Sequence, residues 1–520
     1  MLSRFTVSIL TKEYAYLTGA SLYIVAISIV VGMPLIFDAD AYYYFQIARN
    51  ISNGAGSTFD GVSVTTGYHP LWMGFLTTLH FLFQGVSSIH YAVHGILIVL
   101  FLAGWLLLWI VAKTIGISPT AFILASLIVL APNMAVFQSG LENTLLFFLL
   151  ALLIFLQYRT WNDHRTKVAA IALVLLLAYF TRLDSIFLIA IYLPYHLVTF
   201  WRSGNHLAAI LLPAVVAAGV FAHWAFMLVN FDTIFPTSKL AIQETQQMAS
   251  ILDALVEPGP TLTTMLRQIL DPVDFGSFAN LVRYVGLATP LVLVVSLFVV
   301  ARKRFMQRLP IFMIGLMAVL QLFYYVVVVS IWTREWYYTG WFIIVLFAVS
   351  LLLSNVKVRY QSVLGGVLIV VLLTVSIAAN VDRRNPTWAS AIEEGQLLHD
   401  YDKPGNVIVA LQPDRATYFS GVPMRHIEGK VNSYEYIRSY LLPGRVTAYL
   451  DDIGATHYVY SNEPIPSTGI PCKIQIATSK EGTLYGEYDR HVNNVWVYLI
   501  NDGPAPALTS VPTVPSCDSD

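Results

Sequence analysis

Long apolar runs separated by brief polar punctuation dominate the chain. A helix needs about 20 mostly apolar residues to cross a bilayer. Eleven runs approach or exceed that length, near 15–36, 89–112, 118–137, 142–158, 167–182, 183–201, 207–229, 284–301, 309–332, 337–354 and 361–381. The first is too long for a removable signal peptide and shows no small-residue cleavage site. The stretch from His69 to Val86 is apolar but short, and reads as an interfacial or re-entrant helix. Lys and Arg are unevenly shared between the two sets of span ends. Thirteen fall on one side, including Arg4, Lys12, Lys113, Arg302, Lys303 and Arg304. Six fall on the other up to residue 381: Arg49, Arg182, Lys239, Arg267, Arg283 and Arg334. The positive-inside rule then puts the N-terminus in the cytoplasm. Eleven spans carry the C-terminus outside, the side that also holds two long loops, 37–88 and 230–283.

The pattern changes after residue 381. Strand-like runs from Asn406 to Leu411, His457 to Tyr460 and Val495 to Ile500 accompany a helical stretch from Glu393 to Tyr401. These predict a small extracytoplasmic α/β domain over 382–502, following a transmembrane part over 1–381. Residues 503–520, rich in Pro, Ser and Thr, read as a loose tail. Composition sharpens the class. Residues AVILMFWYC make up 57 % of the 520 and charged residues 12 %, and mean hydropathy is +0.65. A soluble domain averages about 25 % charged, and disorder requires low hydrophobicity with high charge. The chain is therefore expected to be a polytopic α-helical protein of the cell (plasma or inner) membrane. A net charge of −1 supplies no bulk basic field for nucleic acid. Two cysteines, Cys472 and Cys517, cannot build a disulfide framework or a four-cysteine zinc site. Both fall on the oxidising side, where spacing alone does not settle whether they pair.

Acids, aromatics and single cations gather at the outer span ends. The first outer loop starts Phe37, Asp38, Ala39, Asp40, Ala41, Tyr42, Tyr43, Tyr44, and predicts a helix with Tyr44, Ile47 and Ile51 on one face. Asp38 suits an N-cap and Asp40 a first helical turn, where the helix dipole favours ionised acids. Further on, His69 precedes Pro70 in extended chain, and Trp72 reads as an interfacial anchor. Glu142 opens a span and could cap it. Arg182 and Asp184 share an outer turn; an i,i+2 pair does not share a helix face, but a tight turn could bring them together or to other helices. Such groups near membrane depth are either functional or a structural ion pair. Lys239, in the second long loop, is the only cation in a long neighbourhood, and could simply snorkel. Arg334, beside Glu335 and Trp336, and the following Tyr337 and Tyr338 close the set. Several cations on one face suit an anion such as phosphate.

Taken together, these segments resemble bacterial GT-C-type glycosyltransferases, the broad group that includes protein mannosyltransferase-like and RgtA/B/C/D-like enzymes. The likeness runs through Asp40 to Tyr43, Ile47 to Asn50, Gly54 to Gly61 and Gly67 to Trp72. It continues through Ser139 to Glu142, Thr181 to Asp184, Pro236 to Lys239, Arg334 to Tyr338 and Tyr418 to Tyr434, and so covers nearly the whole chain. Departures are visible. The family's adjacent acids are split by Ala39, Leu183 replaces a turn proline, Ser238 stands in a loop that usually carries Asn, and Glu428 precedes Gly429 where Asp is usual. No Trp-Trp-Asp segment of the oligosaccharyltransferase kind is present.

The resemblance implies a polyprenyl-phosphate sugar donor, used at the outer face with inversion, and an acceptor hydroxyl on a glycan, lipid or protein. It makes Asp40 the expected base, with Asp38 able to stand in. Lys239 leads the expected phosphate cations, followed by Arg182 and Arg334, with His69 assisting. Glu142, Asp184 and Tyr338 would hold substrate or loop. No metal is expected to be required, although Asp38 and Asp40 could carry a magnesium ion together with a substrate phosphate. Two other readings compete. A transporter would use buried ionisable groups as a pathway, and a noncatalytic lipid-binding scaffold would share the fold.

Overall fold

The computed structural model describes residues 37–83, 85–245, 305–325, 335–356, 388–461, 473–479, 482–492 and 495–500, with single positions at 18, 21, 25 and 26. The expected spans at 284–301 and 361–381 lie outside the described residues, as does 15–36 apart from those single positions, and so do Arg334, Cys472 and Cys517. Among the described residues, five helices are long and apolar enough to cross a membrane: Val86–Thr114, His164–Thr181, Leu183–Arg202, His206–Phe231 and Trp336–Ser354. Pro119–Val129, Asn143–Tyr158 and Arg308–Gln321 are shorter apolar helices. Helices suit this solvent because they satisfy their backbone groups internally where no water is available.

In chain order the helices begin with α1 (Ala39–Ser52), α2 (Pro70–Leu82), α3 (Val86–Thr114), α4 (Pro119–Val129) and α5 (Met134–Phe137). They continue with α6 (Asn143–Tyr158), α7 (His164–Thr181), α8 (Ile186–Arg202), α9 (His206–Phe231), α10 (Thr237–Thr245), α11 (Phe305–Phe323) and α12 (Thr339–Ser354). Helix α3 packs along α6, where the Phe101 and Phe147 rings stack at 5.2 Å. Helix α12 lies on α4, and α9 lies on α7 and α8. Polar side chains inside the bundle find partners. Trp105 Nε1 donates to Ser126 Oγ at 2.9 Å, and the Tyr192 hydroxyl donates to the Pro310 carbonyl at 3.1 Å.

The stretch 118–137, expected as one span, is three pieces: α4, a 3-10 turn over Ala131–Asn133, and α5. Pro132 supplies no amide hydrogen to the helical ladder and restricts the residue before it. Helix α1 also differs from expectation. Every residue from Ala41 to Ala48 is buried, not one face alone. Helix α2 packs on one side of it, and a helix of the C-terminal part covers another. Trp72 is not an interfacial anchor. It is 1 % exposed, and its indole Nε1 donates to the Gly140 carbonyl at 3.0 Å. A Trp buried in protein needs such a partner for its N–H.

The C-terminal part is a small α/β unit. Its helices are α13 (Trp388–His399), α14 (Asp414–Ser420), α15 (Tyr434–Tyr436) and α16 (Val446–Asp452). Its strands are β1 (Ile408–Ala410), β2 (Met424–His426), β3 (His457–Ser461), β4 (Lys473–Ser479), β5 (Gly482–Val492) and β6 (Val495–Ile500). They form one sheet in the order β2-β1-β3-β6-β5-β4. Strands β2, β1 and β3 are parallel, and the pairs β3–β6, β6–β5 and β5–β4 are antiparallel. The three runs read as strands in the sequence are β1, β3 and β6. The unit docks on α1 through α14. Tyr418 packs against Tyr42 and Phe45, with ring centroids 5.5 and 5.7 Å away. Arg49 lies over the Tyr418 ring at 4.8 Å and donates to its carbonyl at 2.9 Å. Arg425 pairs with Asp60 of the loop after α1. These contacts set the sheet unit against the end of the bundle where the acids gather.

Candidate active site

Helix α1 starts where Asp38 caps it: its Oδ1 accepts from the Asp40 backbone N–H at 3.1 Å. The Asp38 N–H in turn donates to the Ser139 carbonyl at 3.0 Å. This ties the start of α1 to the turn before α6. Gly140 in that turn has φ +84°, and an added Cβ would come within 2.9 Å of Ala41 and Phe37. Only glycine combines that backbone with that approach at no steric cost. One turn therefore fixes both Asp38 and Glu142, two residues on.

Glu142 does not cap its helix; no capping bond is made by its side chain. Instead its Oε1 accepts from Arg182 Nη1 at 2.8 Å, with His69 Nε2 at 3.5 Å. Arg182 also grips Asp184 with two donors, Nε to Oδ1 at 3.2 Å and Nη2 to Oδ2 at 2.8 Å. A 3-10 turn over Leu183–Ser185 makes this i,i+2 contact. Gln321 Nε2 and the Tyr325 hydroxyl add donors to Asp184 Oδ2 at 2.6 and 2.8 Å. The guanidinium lies over the Tyr337 ring at 4.8 Å. The structure thus brings His69, Glu142, Arg182 and Asp184 into one buried cluster and places two carboxyls on one guanidinium. Arg182 already has a carboxyl on each side, so it is less open to a substrate phosphate than an isolated cation. Glu142 Oε2 is buried and has no hydrogen-bond partner among the described residues. Such an oxygen is an acceptor in want of a donor.

His69 is held at both ring nitrogens. Its Nδ1 accepts from the Leu183 N–H at 3.4 Å, which leaves the neutral ring's proton on Nε2, facing Glu142. Burial lowers its pKa, Glu142 opposes that and Arg182 adds to it. Tyr44 links α1 to His69: its hydroxyl accepts from the His69 N–H at 3.2 Å. Burial raises the Tyr44 phenol well above its ordinary value, Glu142 adds to the rise, the His69 bond and Arg182 oppose it, and Asp40 contributes a smaller upward push. Asp40 and the cluster therefore share one electrostatic neighbourhood.

Asp40 is 39 % exposed at its side chain, and its Oδ1 is 3.9 Å from Lys430 Nζ. Lys430 belongs to the turn after β2, inside the Tyr418 to Tyr434 stretch of the family likeness, but not among the candidate site residues expected from the sequence. Lys430 Nζ is also 3.2 Å from Glu428 Oε2. His426 completes this side. Its Nδ1 accepts from the Gly429 N–H at 3.0 Å, and its Nε2 is 3.2 Å from the Tyr43 hydroxyl. Burial pushes the His426 pKa well below its ordinary value, with Lys430 adding to the effect. The ring is thus a neutral structural link between α1 and the sheet unit.

Lys239 sits in the first turn of α10, 3.6 Å from the Phe235 ring centroid and 5.6 Å from that of Tyr324. Its neighbour Thr237 is tied to the first loop, Oγ1 to Thr65 Oγ1 at 3.0 Å and N–H to Thr66 Oγ1 at 3.3 Å. Gly67 stands at this crossing. A Cβ there would fall 2.1 Å from the Lys430 carbonyl oxygen and 3.2 Å from Thr237 Oγ1. The loops bearing the two lysines therefore meet at one glycine. Gly67→Ala is expected to force the Lys430 backbone away, lowering stability by about 1–3 kcal/mol as an overpacking change and lowering activity as well. Gly74→Ala, in α2 with nothing within 4 Å of the added carbon, is the control. Equal thermal unfolding midpoints for the two purified variants would refute the close approach.

Tyr338 precedes α12 and is half-buried. Among the described residues, no three His, Cys, Asp or Glu side chains gather to hold a metal ion. The Asp38 Oδ1 already accepts the α1 cap bond, and Asp40 faces a lysine.

The helix bundle, with its acid-bearing α1 covered by an α/β unit, is a fold known from solved structures. Two solved structures of ArnT from Cupriavidus metallidurans share it. The apo form superposes with a TM-score of 0.59, and the form bound to undecaprenyl phosphate with 0.54. Each is 13 % identical, over 94 % of this chain and 98 % of that one. No family model matches the sequence, and no curated protein matches it.

Proposed function

We propose that the protein is a glycosyltransferase that moves a sugar from a polyprenyl-phosphate donor to an acceptor hydroxyl on a glycan, lipid or protein. One observation carries the reading: a half-exposed carboxylate, Asp40, stands at the start of a juxtamembrane helix between a bundle of the GT-C fold and its sheet unit. The bound lipid of the ArnT complex, undecaprenyl phosphate, supports the donor class. The bias of Lys and Arg supports an N-terminus in the cytoplasm and a sheet unit outside the plasma or inner membrane.

In the proposed reaction Asp40 takes the acceptor's hydroxyl proton as that oxygen attacks the anomeric carbon. The new C–O bond forms as the bond from the anomeric carbon to the phosphate oxygen breaks, and the electron pair leaves with the polyprenyl phosphate. One displacement inverts the anomeric centre. Lys239 meets the charge that develops on the leaving phosphate. Its place against Phe235 and Tyr324 keeps the ammonium beside aromatic faces, where a cation is favoured. The cluster of His69, Glu142, Arg182 and Asp184 forms the fixed wall behind α1, and Glu142 Oε2 offers its acceptor to a donor group. No metal enters this scheme.

The test is a comparison of lipid-linked sugars and surface glycans in a strain lacking the protein. A polyprenyl-phosphate sugar should accumulate and one glycan should lose that sugar, both restored by the wild-type chain. Unchanged lipid-linked sugars and glycans would remove the transferase reading.

A further inference from the structure

The ammonium of Lys430 lies between two carboxylates of unlike surroundings. Glu428, 3.2 Å away, is 8 % exposed at its side chain, while Asp40, 3.9 Å away, is 39 % exposed. The open side of the lysine is therefore the Asp40 side. Its main chain is fixed, because the Lys430 carbonyl abuts Gly67 and the preceding Gly429 N–H is bonded to His426. Its ammonium contacts both carboxylates, the nearer being the buried Glu428. An ammonium is a compact charge on a flexible stem, with three donors that rotate between partners. A carboxylate that is to accept a proton is poorly served by a cation held against it, whereas a departing phosphate needs one.

We infer that Lys430, supplied by the sheet unit, is a further phosphate-binding residue, paired with Asp40 in the free protein and drawn over to the phosphate of the incoming lipid. The inference rests on the donor class proposed above. It gives the sheet unit a direct part in the site and couples release of Asp40 to arrival of the donor. Glu428 keeps its contact on the buried side and holds the lysine in place through the exchange.

Binding of undecaprenyl phosphate to the purified full-length protein in nanodiscs tests this, with Lys430→Ala, Lys430→Arg and Asp40→Asn beside the wild type. Loss of one charge-assisted contact predicts a roughly tenfold or greater weakening for Lys430→Ala. Lys430→Arg should retain most of the affinity. Asp40→Asn should bind several-fold tighter, because the lysine's competing partner has lost its charge. A wild type that binds beside a Lys430→Ala that binds equally well would overturn the inference, as would an Asp40→Asn that binds more weakly. The Asp40→Asn arm does not depend on how well the lysine variant folds. Failure of the wild type to bind at all would instead overturn the donor class. The same order of affinities for inorganic phosphate alone would show that Lys430 reads the headgroup. An order seen with the lipid and absent with inorganic phosphate would assign the effect to the prenyl chain and overturn the role given to Lys430.

Discussion

Asp40→Asn is expected to lower sugar transfer by about 10²- to 10⁴-fold, the usual worth of a positioned base. Asn preserves the shape of the side chain but cannot take a proton at neutral pH. The change should be nearly silent in stability. The cap of α1 is Asp38, not Asp40, so the helix keeps its start. The Asp40 carboxyl is more than a third exposed and its cation stands at 3.9 Å, an arrangement worth about 0–1 kcal/mol. The measurement is the transfer rate of the purified variant with donor saturating, beside its thermal unfolding midpoint. Full activity at unchanged stability would remove Asp40 as the base and turn attention to Asp38. Asp38→Asn separates that carboxylate cleanly, since Asn caps a helix about as well as Asp. A lipid-binding scaffold would be indifferent to Asp40→Asn.

Local signals in the sequence were good guides to elements and poor guides to convergence. Helix α1, its cap and the extended backbone at His69 follow from residue type and spacing. So do the core strands β1, β3 and β6, whose apolar runs are bounded by turn residues. Trp72 was misread because an aromatic beside a span looks alike whether it faces lipid headgroups or protein; the Gly140 carbonyl decided it. The pairing of Arg182 with Asp184 runs against helix periodicity and depends on the 3-10 turn between α7 and α8. The attachment of Glu142 to the same guanidinium is a contact between distant segments, invisible to any local rule. Lys430 was missed for the same reason. The stretch around it resembles the family, but Lys430 itself is not singled out until the sheet unit is set against α1 and its ammonium arrives beside Asp40. His426, bonded to Tyr43 of α1, likewise acquires its role only from docking.

Arg182→Met carries the largest expected effect on stability. Glu142, Arg182 and Asp184 have side chains 4 %, 3 % and 7 % exposed. Removing the guanidinium leaves two carboxyls facing each other's field without their shared cation, in surroundings where water cannot replace it. Breaking a buried pair in this way costs about 3–5 kcal/mol, a large part of the margin of an ordinary domain. The variant should reach the membrane at much lower levels and unfold at a clearly lower temperature. Arg182→Lys should recover only part of the loss, because an ammonium cannot make the two-pronged grip on Asp184 while reaching Glu142. The decisive comparison adds Glu142→Gln and Asp184→Asn to Arg182→Met. If the penalty is uncompensated charge, neutralising both acids restores much of the folded yield and none of the transfer activity. An Arg182→Met protein as stable as wild type would show that these three groups are not a buried electrostatic unit, and the wall behind α1 would have to be assigned to other residues.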